Sequence, residues 1–525
     1  MKKSFTPRYG FVAILISFLI ISCAFVELIN PTPVPTNPPV KITPTSTPIP
    51  SKTPTKEPTA TQTEPEPVQI HVDDFGANPY DDQPDSDAIQ LALKNLQSGE
   101  TLLFTSGTKD EGYSGYMIDK TIFIVKDIAM NNITLKSTNP ENPAFLFASR
   151  DLKGFVIQLY SRANFHSPAA LDNITLQDLN IDAGRESRTC TGADQIPNGV
   201  DDNWGSWIVG ECPHMDDPWC NAGGISLPGL VDFSDYQQRY KQFPDKWTTG
   251  LKVDNLTITN VECGTALGLS GAASSITNTM IDTAGEHTHT YGCTPTDPDG
   301  EMAFWSDGIT FDGTEIVVEN NSIINASDVG IVFFGGKDTK INHNLIISEN
   351  GNYGAFAGIA VHTWGFGDIS GLEVIDNTVI NTSDTQCGGI HAGINIGTQM
   401  WGIGCREAGL GTIGTPNECV RNPATPEGGH CITNQQCQIW AHVGEDGTLK
   451  LMDNTVTGCH INFLIGGLEN LGELIIDGNI SLDPQPSDWE AAKHGCHGVT
   501  WGPLDFVALF PTLPGWTEQE VFCER

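Results

Sequence analysis

The sequence Asp307-Gly308-Ile309-Thr310-Phe311 occurs four times, with variations, in the second half of the chain. The other copies are Val329-Gly330-Ile331-Val332-Phe333, Ala357-Gly358-Ile359-Ala360-Val361 and Ala392-Gly393-Ile394-Asn395-Ile396. Successive glycines are 22, 28 and 35 residues apart, and short apolar runs that contain asparagine lie between them. This period, with insertions of variable length, is typical of a solenoid whose coils are too thin to bury an apolar face alone. We therefore predict an all-β solenoid with a long open groove, a shape that suits a polymer.

Alternation along a strand predicts which side of the solenoid wall each repeat residue faces. The isoleucine after each glycine, and the residue two positions later, should point into the core. The outward column should then consist of Thr310, Val332, Ala360 and Asn395, with Asp312, Phe334 and His362 beside it.

Three aspartates on this outward wall are candidate catalytic residues. Asp307 and Asp328 begin neighbouring strands one position out of register, which places them roughly 5–7 Å apart if coils are about 4.8 Å apart. This separation suits the two carboxyl groups of a glycosidase, because two close carboxylates repel and one of them becomes an acid. Asp312 is the third candidate. The alternative for Asp328 is a turn residue that binds its own backbone.

Aromatic and polar side chains near these aspartates are candidate sugar-binding residues, because a sugar ring stacks on an aromatic face. The set is Glu286, His287, His289, Trp305, Phe334, His362, Trp364, Asn395 and Trp401. The two loop histidines have two alternatives: they hold a metal ion with Glu286 or Asp307, or they are simply solvated. For Trp305 and Trp364 the alternative is to cover the rim of the solenoid. The sequence establishes no cofactor; the acidic clusters of the long loops could hold calcium, but no EF-hand-type loop is present.

Asparagines recur at matching positions of successive repeats, and their repetition favours a structural role over a ligand role. The residues are Asn321, Asn344, Asn377 and Asn454. We predict that they form an internal ladder of side-chain amides.

The folded region opens with Val72-Asp73-Asp74-Phe75-Gly76-Ala77, followed by Asp81-Asp82 and by Asp85-Ser86-Asp87-Ala88-Ile89-Gln90-Leu91-Ala92-Leu93. This opening resembles that of the pectate-lyase-like right-handed parallel β-helix superfamily, in particular its rhamnogalacturonase/epimerase-like branch. The repeats extend the resemblance over most of residues 70–485. It implies a single-stranded right-handed parallel β-helix and carbohydrate chemistry: glycoside hydrolysis, lyase elimination or epimerisation. The polygalacturonase motifs are absent as an ordered series, and so is the arginine-rich signature of pectate lyases, so no catalytic residue is transferred.

A short amphipathic helix is predicted just after this opening. Ser86 or Asp87 can cap its N-terminus, and Ile89, Leu93 and Leu96 share one face. A helix there would cover the first coil and protect its open edge.

The N-terminus predicts export. Basic residues precede an apolar stretch, residues 11–21, that is too short to span a bilayer comfortably. Ile20-Ile21-Ser22-Cys23 resembles a bacterial lipoprotein signal, so residues 1–23 are read as a signal peptide with Cys23 lipidated. An ordinary cleaved signal and an uncleaved anchor are the alternatives. Residues 24–67, rich in proline and threonine, are predicted to be a disordered linker.

Charge and cysteine content bound the partners and the loops. The net charge of −37 would repel nucleic acid and anionic lipid headgroups, although it also serves solubility outside the cell. Fourteen cysteines in an exported chain predict disulfides in the long loops. Local candidate pairs are Cys212–Cys220, Cys405–Cys419 and Cys431–Cys437. Residues 68–485 are then the β-helix domain, and residues 486–525, where the repeat fades, form a C-terminal cap.

The leading hypothesis from the sequence is a monomeric enzyme, lipid-anchored at the bacterial cell surface, that cleaves an extracellular polysaccharide. Acid/base hydrolysis by Asp307, Asp312 and Asp328 is the expected mechanism. A polysaccharide lyase or epimerase that uses calcium is one alternative. The other is a non-catalytic β-helix that binds glycans or a host surface. The membrane is expected to be contacted only through the lipid anchor.

Overall fold

The computed structural model describes residues 68–125, 132–150, 152, 155–160, 172–184, 225–227, 248–261, 264–285, 306–349, 354–361, 368–382, 389–397, 430–433, 436–438, 441–443, 446–459, 461–466, 468–469, 472–484 and 504–509. All of these residues belong to one unit of the chain, Pro65–Arg525. Within them, no helix combines the length and the apolar character needed to cross a membrane. The predicted signal peptide with Cys23, the predicted linker and most of the predicted C-terminal cap lie outside the described residues.

The described residues form one α-helix, α1 (Ser86–Asn95), two 3-10 helices (Val72–Phe75 and Lys109–Glu111) and 33 strands. The strands of the N-terminal half are β1 (Gln69–His71), β2 (Thr101–Phe104), β3 (Tyr116–Ile118), β4 (Ile122–Val125), β5 (Ile133–Ser137), β6 (Ala144–Ala148), β7 (Ile157–Tyr160), β8 (Ile174–Asp182), β9 (Ile225–Leu227), β10 (Lys252–Val261), β11 (Gly264–Ala272), β12 (Ser275–Thr277) and β13 (Met280–Ala284). Those of the repeat region are β14 (Ser306–Thr314), β15 (Val317–Glu319), β16 (Ser322–Ala326), β17 (Val329–Phe333), β18 (Lys340–Asn342), β19 (Leu345–Ser348), β20 (Gly354–Val361), β21 (Leu372–Ile375), β22 (Thr378–Asn381) and β23 (Gly389–Ile396). The last are β24 (His430–Thr433), β25 (Gln436–Gln438), β26 (Ala441–His442), β27 (Thr448–Met452), β28 (Thr455–Thr457), β29 (Ile461–Gly466), β30 (Leu468–Glu469), β31 (Glu473–Asp477), β32 (Ile480–Leu482) and β33 (Leu504–Leu509).

Parallel pairing between successive coils builds the fold. The strands form one sheet of 19 strands, here the large sheet, and one of ten strands, here the repeat sheet because it contains β14, β17, β20 and β23. In the repeat region each coil gives two strands to the large sheet and one to the repeat sheet. For example, β15 and β16 pair with β18 and β19, and β17 pairs with β20. This is the architecture of a parallel β-helix, as the repeat predicts.

The four copies of the Gly-Ile sequence lie in register in the repeat sheet. Ile309 pairs with Ile331, Ile331 with Ile359, and Ile359 with Ile394. These side chains lie in one continuous core cluster, in agreement with the predicted inward positions. Inside the core, the rings of Phe311 and Phe333 stack with centroids 4.9 Å apart and an interplanar angle of 19°.

A tight turn joins the two strands that each coil gives to the large sheet. Its first residue has a left-handed backbone, with φ of 58° at Asn320, 56° at His343 and 55° at Asp376. Asparagine, aspartate and histidine are the non-glycine residues that adopt this conformation most readily. The turn therefore explains why polar residues of these types precede the repeated asparagines.

The predicted amide ladder is confirmed, and it has one more rung. The Nδ2 atoms of Asn321, Asn344, Asn377 and Asn454 each donate to Oδ1 of the next asparagine, at 2.9–3.0 Å, and Asn479 is the last acceptor. Each Nδ2 also donates to a backbone carbonyl of the large sheet at 2.7–3.0 Å. Each Oδ1 also accepts from the backbone N–H of the preceding asparagine. The buried amides are thus fully satisfied, and they hold the coils in one register.

The N-terminal sequence motif is structural in this chain. Asp73 accepts hydrogen bonds from the hydroxyls of Tyr116 and Thr105, both at 2.6 Å. Asp85 accepts from the backbone N–H groups of Asn78 at 2.7 Å and Met117 at 2.9 Å. Burial raises the pKa of Asp85 to about 6 despite these two donors. The two acidic residues tie the first loop to the coils that follow it.

Helix α1 forms where the sequence predicts it. Ile89, Leu93 and Leu96 are buried and belong to the core. The predicted cap is wrong in detail: the N-cap residue is Asp85, and no side chain caps the helix. The hydroxyl of Ser86 instead accepts from the backbone N–H groups of residues 119 and 120.

The glycine of each repeat copy marks a kink in the repeat sheet. A Cβ on Gly308 would lie 2.6 Å from Cγ2 of Ile323, inside the core, and Ile309 also points inward. Two successive residues therefore face the interior, and strict alternation fails at this point. The residue before the glycine, Asp307, consequently lies on the outer side of the sheet together with Thr310, to which it is hydrogen-bonded.

Replacement of Gly330 by alanine is expected to cost about 3 kcal/mol of unfolding free energy, because the new Cβ overpacks the wall. It would lie 2.6 Å from the carbonyl oxygen of Gly358 and 2.7 Å from Cγ2 of Ile346. Urea unfolding is the measurement. Gly112→Ala is the control, since Gly112 has φ +78° and nothing within 4 Å of a Cβ, so only about 1 kcal/mol of backbone strain is expected there. Equal costs for the two variants would contradict the packing argument.

Two of the predicted cysteine partners lie opposite each other. Strands β24 and β25 are antiparallel, and Cys431 pairs with Cys437 in their register. Directly opposed positions of an antiparallel pair are separated by about 4.5–5.5 Å between Cα atoms, a distance that a disulfide can span. The bond itself stays a prediction, as do the pairs Cys212–Cys220 and Cys405–Cys419, which lie outside the described residues.

Candidate functional site

The outer face of the repeat sheet, here called the outer wall, carries two rows of side chains that run from coil to coil. The first row consists of Asp307, Val329, Ala357, Ala392 and Ile461, and the second of Thr310, Val332, Ala360, Asn395 and Leu464. Their apolar members are buried, at 0–2% exposure, yet they do not belong to the central core. The outer wall is therefore shielded from solvent at these positions, whereas the sequence predicted an open groove.

Asp307 lies at the polar end of this wall. Its Oδ2 accepts a hydrogen bond of 2.7 Å from the hydroxyl of Thr310. The hydroxyl of Thr310 is also 3.0 Å from that of Thr265 on β11, the strand of the preceding coil. Among the described residues, Oδ1 of Asp307 has no hydrogen-bond partner although it is buried. A buried polar atom of this kind needs an explanation, and a ligand or a proton is one.

Burial raises the pKa of Asp307 to about 7. The Thr310 hydroxyl and the backbone N–H of Val329 favour the charged carboxylate and oppose this effect, but burial is the larger influence. A carboxyl group with this pKa is partly protonated at neutral pH, which is the property required of a general acid.

Asp312 lies further along the same strand and on the same outer side. It is 3% exposed, its Oδ1 accepts a hydrogen bond from the hydroxyl of Ser270, and burial raises its pKa well above the usual range. Its Oδ2 has no hydrogen-bond partner among the described residues. Five residues of strand separate it from Asp307, or about 16 Å between Cα atoms. The two carboxyl groups are thus too far apart to act on the same bond.

Asp328 is the predicted catalytic residue nearest to Asp307. The register that pairs Ile309 with Ile331 places Val329 opposite Asp307, so Asp328 is offset by one residue. Combining a coil spacing of about 4.8 Å with one residue of rise gives about 6 Å between the Cα atoms of Asp307 and Asp328. Asp328 is half-buried, and its backbone N–H donates to the carbonyl of Ser306 at 3.0 Å.

Two predicted sugar-binding residues fall within the described part of the chain. Asn395 is in the second row of the outer wall and is fully buried, so a polymer in solvent does not reach it in this conformation. Phe334 follows β17 and is half-buried, and its backbone N–H donates to the carbonyl of Phe311 at 2.9 Å. The same register places Phe334 beside Asp312.

The other predicted sugar-binding residues lie outside the described residues. They are Glu286, His287, His289, Trp305, His362, Trp364 and Trp401. Their roles stay predictions. In the described part of the chain, no group of three or more histidine, cysteine, aspartate or glutamate residues is arranged to hold a metal ion.

Sequence reasoning missed two hydroxyl groups near the buried carboxyl groups: Ser270, which donates to Asp312, and Thr265, which contacts the hydroxyl of Thr310. Both lie on β11, in the segment Gly264-Thr265-Ala266-Leu267-Gly268-Leu269-Ser270. This coil has alanine where the later copies have the repeat glycine, so the pattern does not extend to it. Ala266 and Leu267 stand where the later copies have glycine and isoleucine. A pattern that allows any small residue followed by any aliphatic residue would have found this coil.

Comparison with known proteins gives matches in structure alone. No protein-family model matches the sequence, and the search of curated proteins gives no significant match. PfbA, a surface adhesin of Streptococcus pneumoniae, is 13% identical with a TM-score of 0.38, and the match covers 79% of this chain and 90% of that one.

Two similar structures are enzymes. A hyperthermoactive exopolygalacturonase from Thermotoga maritima is 12% identical with a TM-score of 0.36, and the match covers 79% of this chain and 88% of that one. The catalytic unit of a thermostable GH87 alpha-1,3-glucanase from Streptomyces thermodiastaticus is 13% identical with a TM-score of 0.32, covering 81% of this chain and 71% of that one.

At these identities and TM-scores, the matches carry no information about the reaction or substrate of this chain. The similar structures are pectate-lyase-like parallel β-helix proteins, consistent with the resemblance seen in the opening motif and the repeats.

Proposed function

We propose that this protein is a carbohydrate-active β-helix enzyme that hydrolyses a glycosidic bond of an extracellular polysaccharide. Asp307 is the proposed general acid, and Asp328 on the next coil is the proposed base or nucleophile. The observation that carries this proposal is the environment of Asp307, a buried carboxyl group whose pKa is raised to about 7 beside a second aspartate. Two carboxyl groups with different protonation states are what acid/base hydrolysis requires.

Asp312 has a separate role in this proposal. Because it lies about 16 Å along the strand from Asp307, Asp312 would contact a different sugar unit of a bound polymer. Its Oδ2, which has no hydrogen-bond partner within the described part of the chain, is then available to accept a hydrogen bond from a sugar hydroxyl, while Ser270 donates to the other oxygen. Phe334, next to it in register, would contact an apolar sugar face.

The finer features of the fold and setting belong to the same proposal. We infer a right-handed coil, because parallel β-to-β crossovers are right-handed in nearly all proteins. Helix α1 is inferred to close the N-terminal end of the core, since its apolar face is buried there. Lipidation at Cys23, display at the cell surface, loop disulfides and a monomeric state rest on the sequence alone.

One observation favours a second candidate function, a non-catalytic surface protein that binds glycans. Asp307 is 8% exposed and Asp312 is 3% exposed, so in this conformation neither carboxyl group is open to a polymer. In a binding protein the two aspartates would be structural. A lyase or epimerase that uses calcium is a third reading, for which the described residues offer no particular support.

The test is incubation of the purified protein with a panel of polysaccharides, with and without a chelator, reading reducing ends and absorbance near 235 nm together. New reducing ends that persist in chelator and bring no absorbance are expected for hydrolysis. Absorbance that disappears with chelator would identify a metal-dependent lyase instead. Tight binding to a polymer without any product would identify the binding protein and contradict the proposed hydrolysis.

A further inference from the structure

We propose that Thr310 and Thr265 are positioning residues that hold Oδ2 of Asp307 as an acceptor, so that Oδ1 is the oxygen that carries and delivers the proton. This inference rests on the proposed function of Asp307 as a general acid. It assigns roles to two hydroxyl groups on two different coils.

The contacts define a chain of hydrogen bonds in which each hydroxyl group donates to the next acceptor. A threonine hydroxyl has a single hydrogen, and that of Thr310 is committed to Oδ2 of Asp307 at 2.7 Å. The 3.0 Å contact between Thr310 and Thr265 must then be donated by Thr265. The chain thus runs from Thr265 on β11 through Thr310 to Asp307, and it crosses the outer side of the repeat sheet.

The geometry distinguishes the two oxygens of the carboxyl group. Oδ2 accepts from Thr310, so a proton on Oδ2 would require the hydroxyl groups of Thr310 and Thr265 both to reverse the direction of their hydrogen bonds. Oδ1 has no hydrogen-bond partner among the described residues, so a proton placed there leaves the hydrogen bond from Thr310 to Oδ2 intact. The neutral acid therefore keeps its hydrogen bond to Thr310 and has an O–H group available for a leaving-group oxygen.

The kink at Gly308 also fixes the position of the backbone from which the side chain of Asp307 extends. Register pairs Thr265 with Asp307 and Gly268 with Thr310, so the residues of the hydroxyl chain sit on two adjacent strands with fixed spacing. Gly308 cannot accept a Cβ without meeting Ile323 and the carbonyl of Gly330. The backbone at this point is thus packed closely against the core and the next coil, which fixes where the side chain of Asp307 begins.

The test replaces Thr310 by valine and by serine, and Thr265 by valine. Thr310→Val removes the donor that favours the charged carboxylate, so the titration of Asp307 is expected to move up by about one pH unit. The titration is read from carboxyl ¹³C shifts of protein labelled at aspartate, and Asp307→Asn identifies the signal.

Turnover of the polysaccharide that the wild-type protein cleaves should fall about tenfold in Thr310→Val, and the alkaline limb of its pH profile should shift to higher pH. Thr310→Ser should restore both, and Thr265→Val should give a smaller shift.

Thr277→Val is the matched control, because Thr277 donates to Oδ1 of Asp254 at 2.8 Å on the large sheet, away from the outer wall. It should leave the titration of Asp307 and the pH profile unchanged. An unchanged titration of Asp307 in Thr310→Val would overturn the positioning role even if the enzyme is active. Failure of the proposed hydrolysis would instead appear as no product from the wild-type protein, and the carboxyl titration would still test the hydroxyl chain.

Discussion

Replacement of Asp307 by asparagine is expected to lower turnover of the polysaccharide at least about 100-fold, because an amide cannot donate the carboxyl proton to the leaving group. Asparagine has nearly the same shape as aspartate, and its amide oxygen still accepts the hydrogen bond from Thr310. The fold and the affinity for the polymer should therefore survive. Initial rates of reducing-end release, with binding measured separately, test this expectation.

The same variant should remove a pH dependence of stability. Burial raises the pKa of Asp307 to about 7 from 3.8, so the folded state favours the protonated form. The resulting stability is fully present below about pH 4 and is lost as the pH rises to about 7. At pH 8 Asp307→Asn should be more stable than wild type, by at most about 4 kcal/mol. At pH 4 the two should have similar unfolding free energies.

Asp338→Asn is the control for both measurements. Asp338 is exposed and has φ of 54°, a conformation that asparagine also adopts. This variant should keep its turnover, and its stability should follow the pH as wild type does. If Asp307→Asn retained full turnover while the wild-type protein cleaves the polymer, Asp307 would not be the acid. Asp328→Asn, or Asp312→Asn, would then be compared in the same assay.

The sequence predicts the coil-to-coil organisation well because that information is local and repeated. Each isoleucine after a repeat glycine is buried, and the copies lie in register. The asparagine ladder follows from the same reasoning, since a buried amide that recurs once per coil can satisfy its neighbours. Its fifth rung, Asn479, lies in Ile476-Asp477-Gly478-Asn479, where glycine takes the left-handed turn position that polar residues hold in the other coils. A search restricted to asparagine after a polar turn residue misses it.

The environment of the candidate site depends on information that alternation does not contain. Strict alternation gives Asp307 the same side as Ile309, but the kink at Gly308 returns Asp307 to the outer side. The burial of Asn395 and Asp312 depends on what surrounds the outer wall, and a pattern within the strands does not determine this. The sequence could thus identify Asp307 as a candidate, but not its pKa or its partners.

The N-terminal helix shows a related limit. A polar residue before an apolar stretch predicts the start of a helix, and α1 begins at Ser86. Which side chain bonds which backbone group depends on contacts with strands more than 30 residues away. Asp85 binds the backbone of Met117, and Ser86 binds that of residues 119 and 120, so long-range contacts replace the local cap.

Replacement of Asn377 by alanine is expected to cost about 3–5 kcal/mol of unfolding free energy, because its side chain satisfies buried groups on two neighbouring coils. Asn377 accepts from the backbone N–H and Nδ2 of Asn344, and it donates to Oδ1 of Asn454 and to the carbonyl of Ile341. Alanine leaves these buried groups without partners on both sides, and each such group carries a desolvation penalty of about 1–3 kcal/mol. Urea unfolding of the variant and the wild-type protein, compared as unfolding free energies, measures the loss.

The adjacent residue gives the matched control for this prediction. Thr378 is the next residue in sequence and is half-buried on the opposite side of β22, away from the ladder. Thr378→Ala should cost less than about 1 kcal/mol, as is usual for a substitution at such a surface position. Asn377→Asp should cost about as much as Asn377→Ala, because a carboxylate keeps the acceptors but has no hydrogens for Asn454 and Ile341 and buries a charge. A cost below about 1 kcal/mol for Asn377→Ala would show that side-chain packing alone sets the register of the coils, and that the amide ladder is not needed for it.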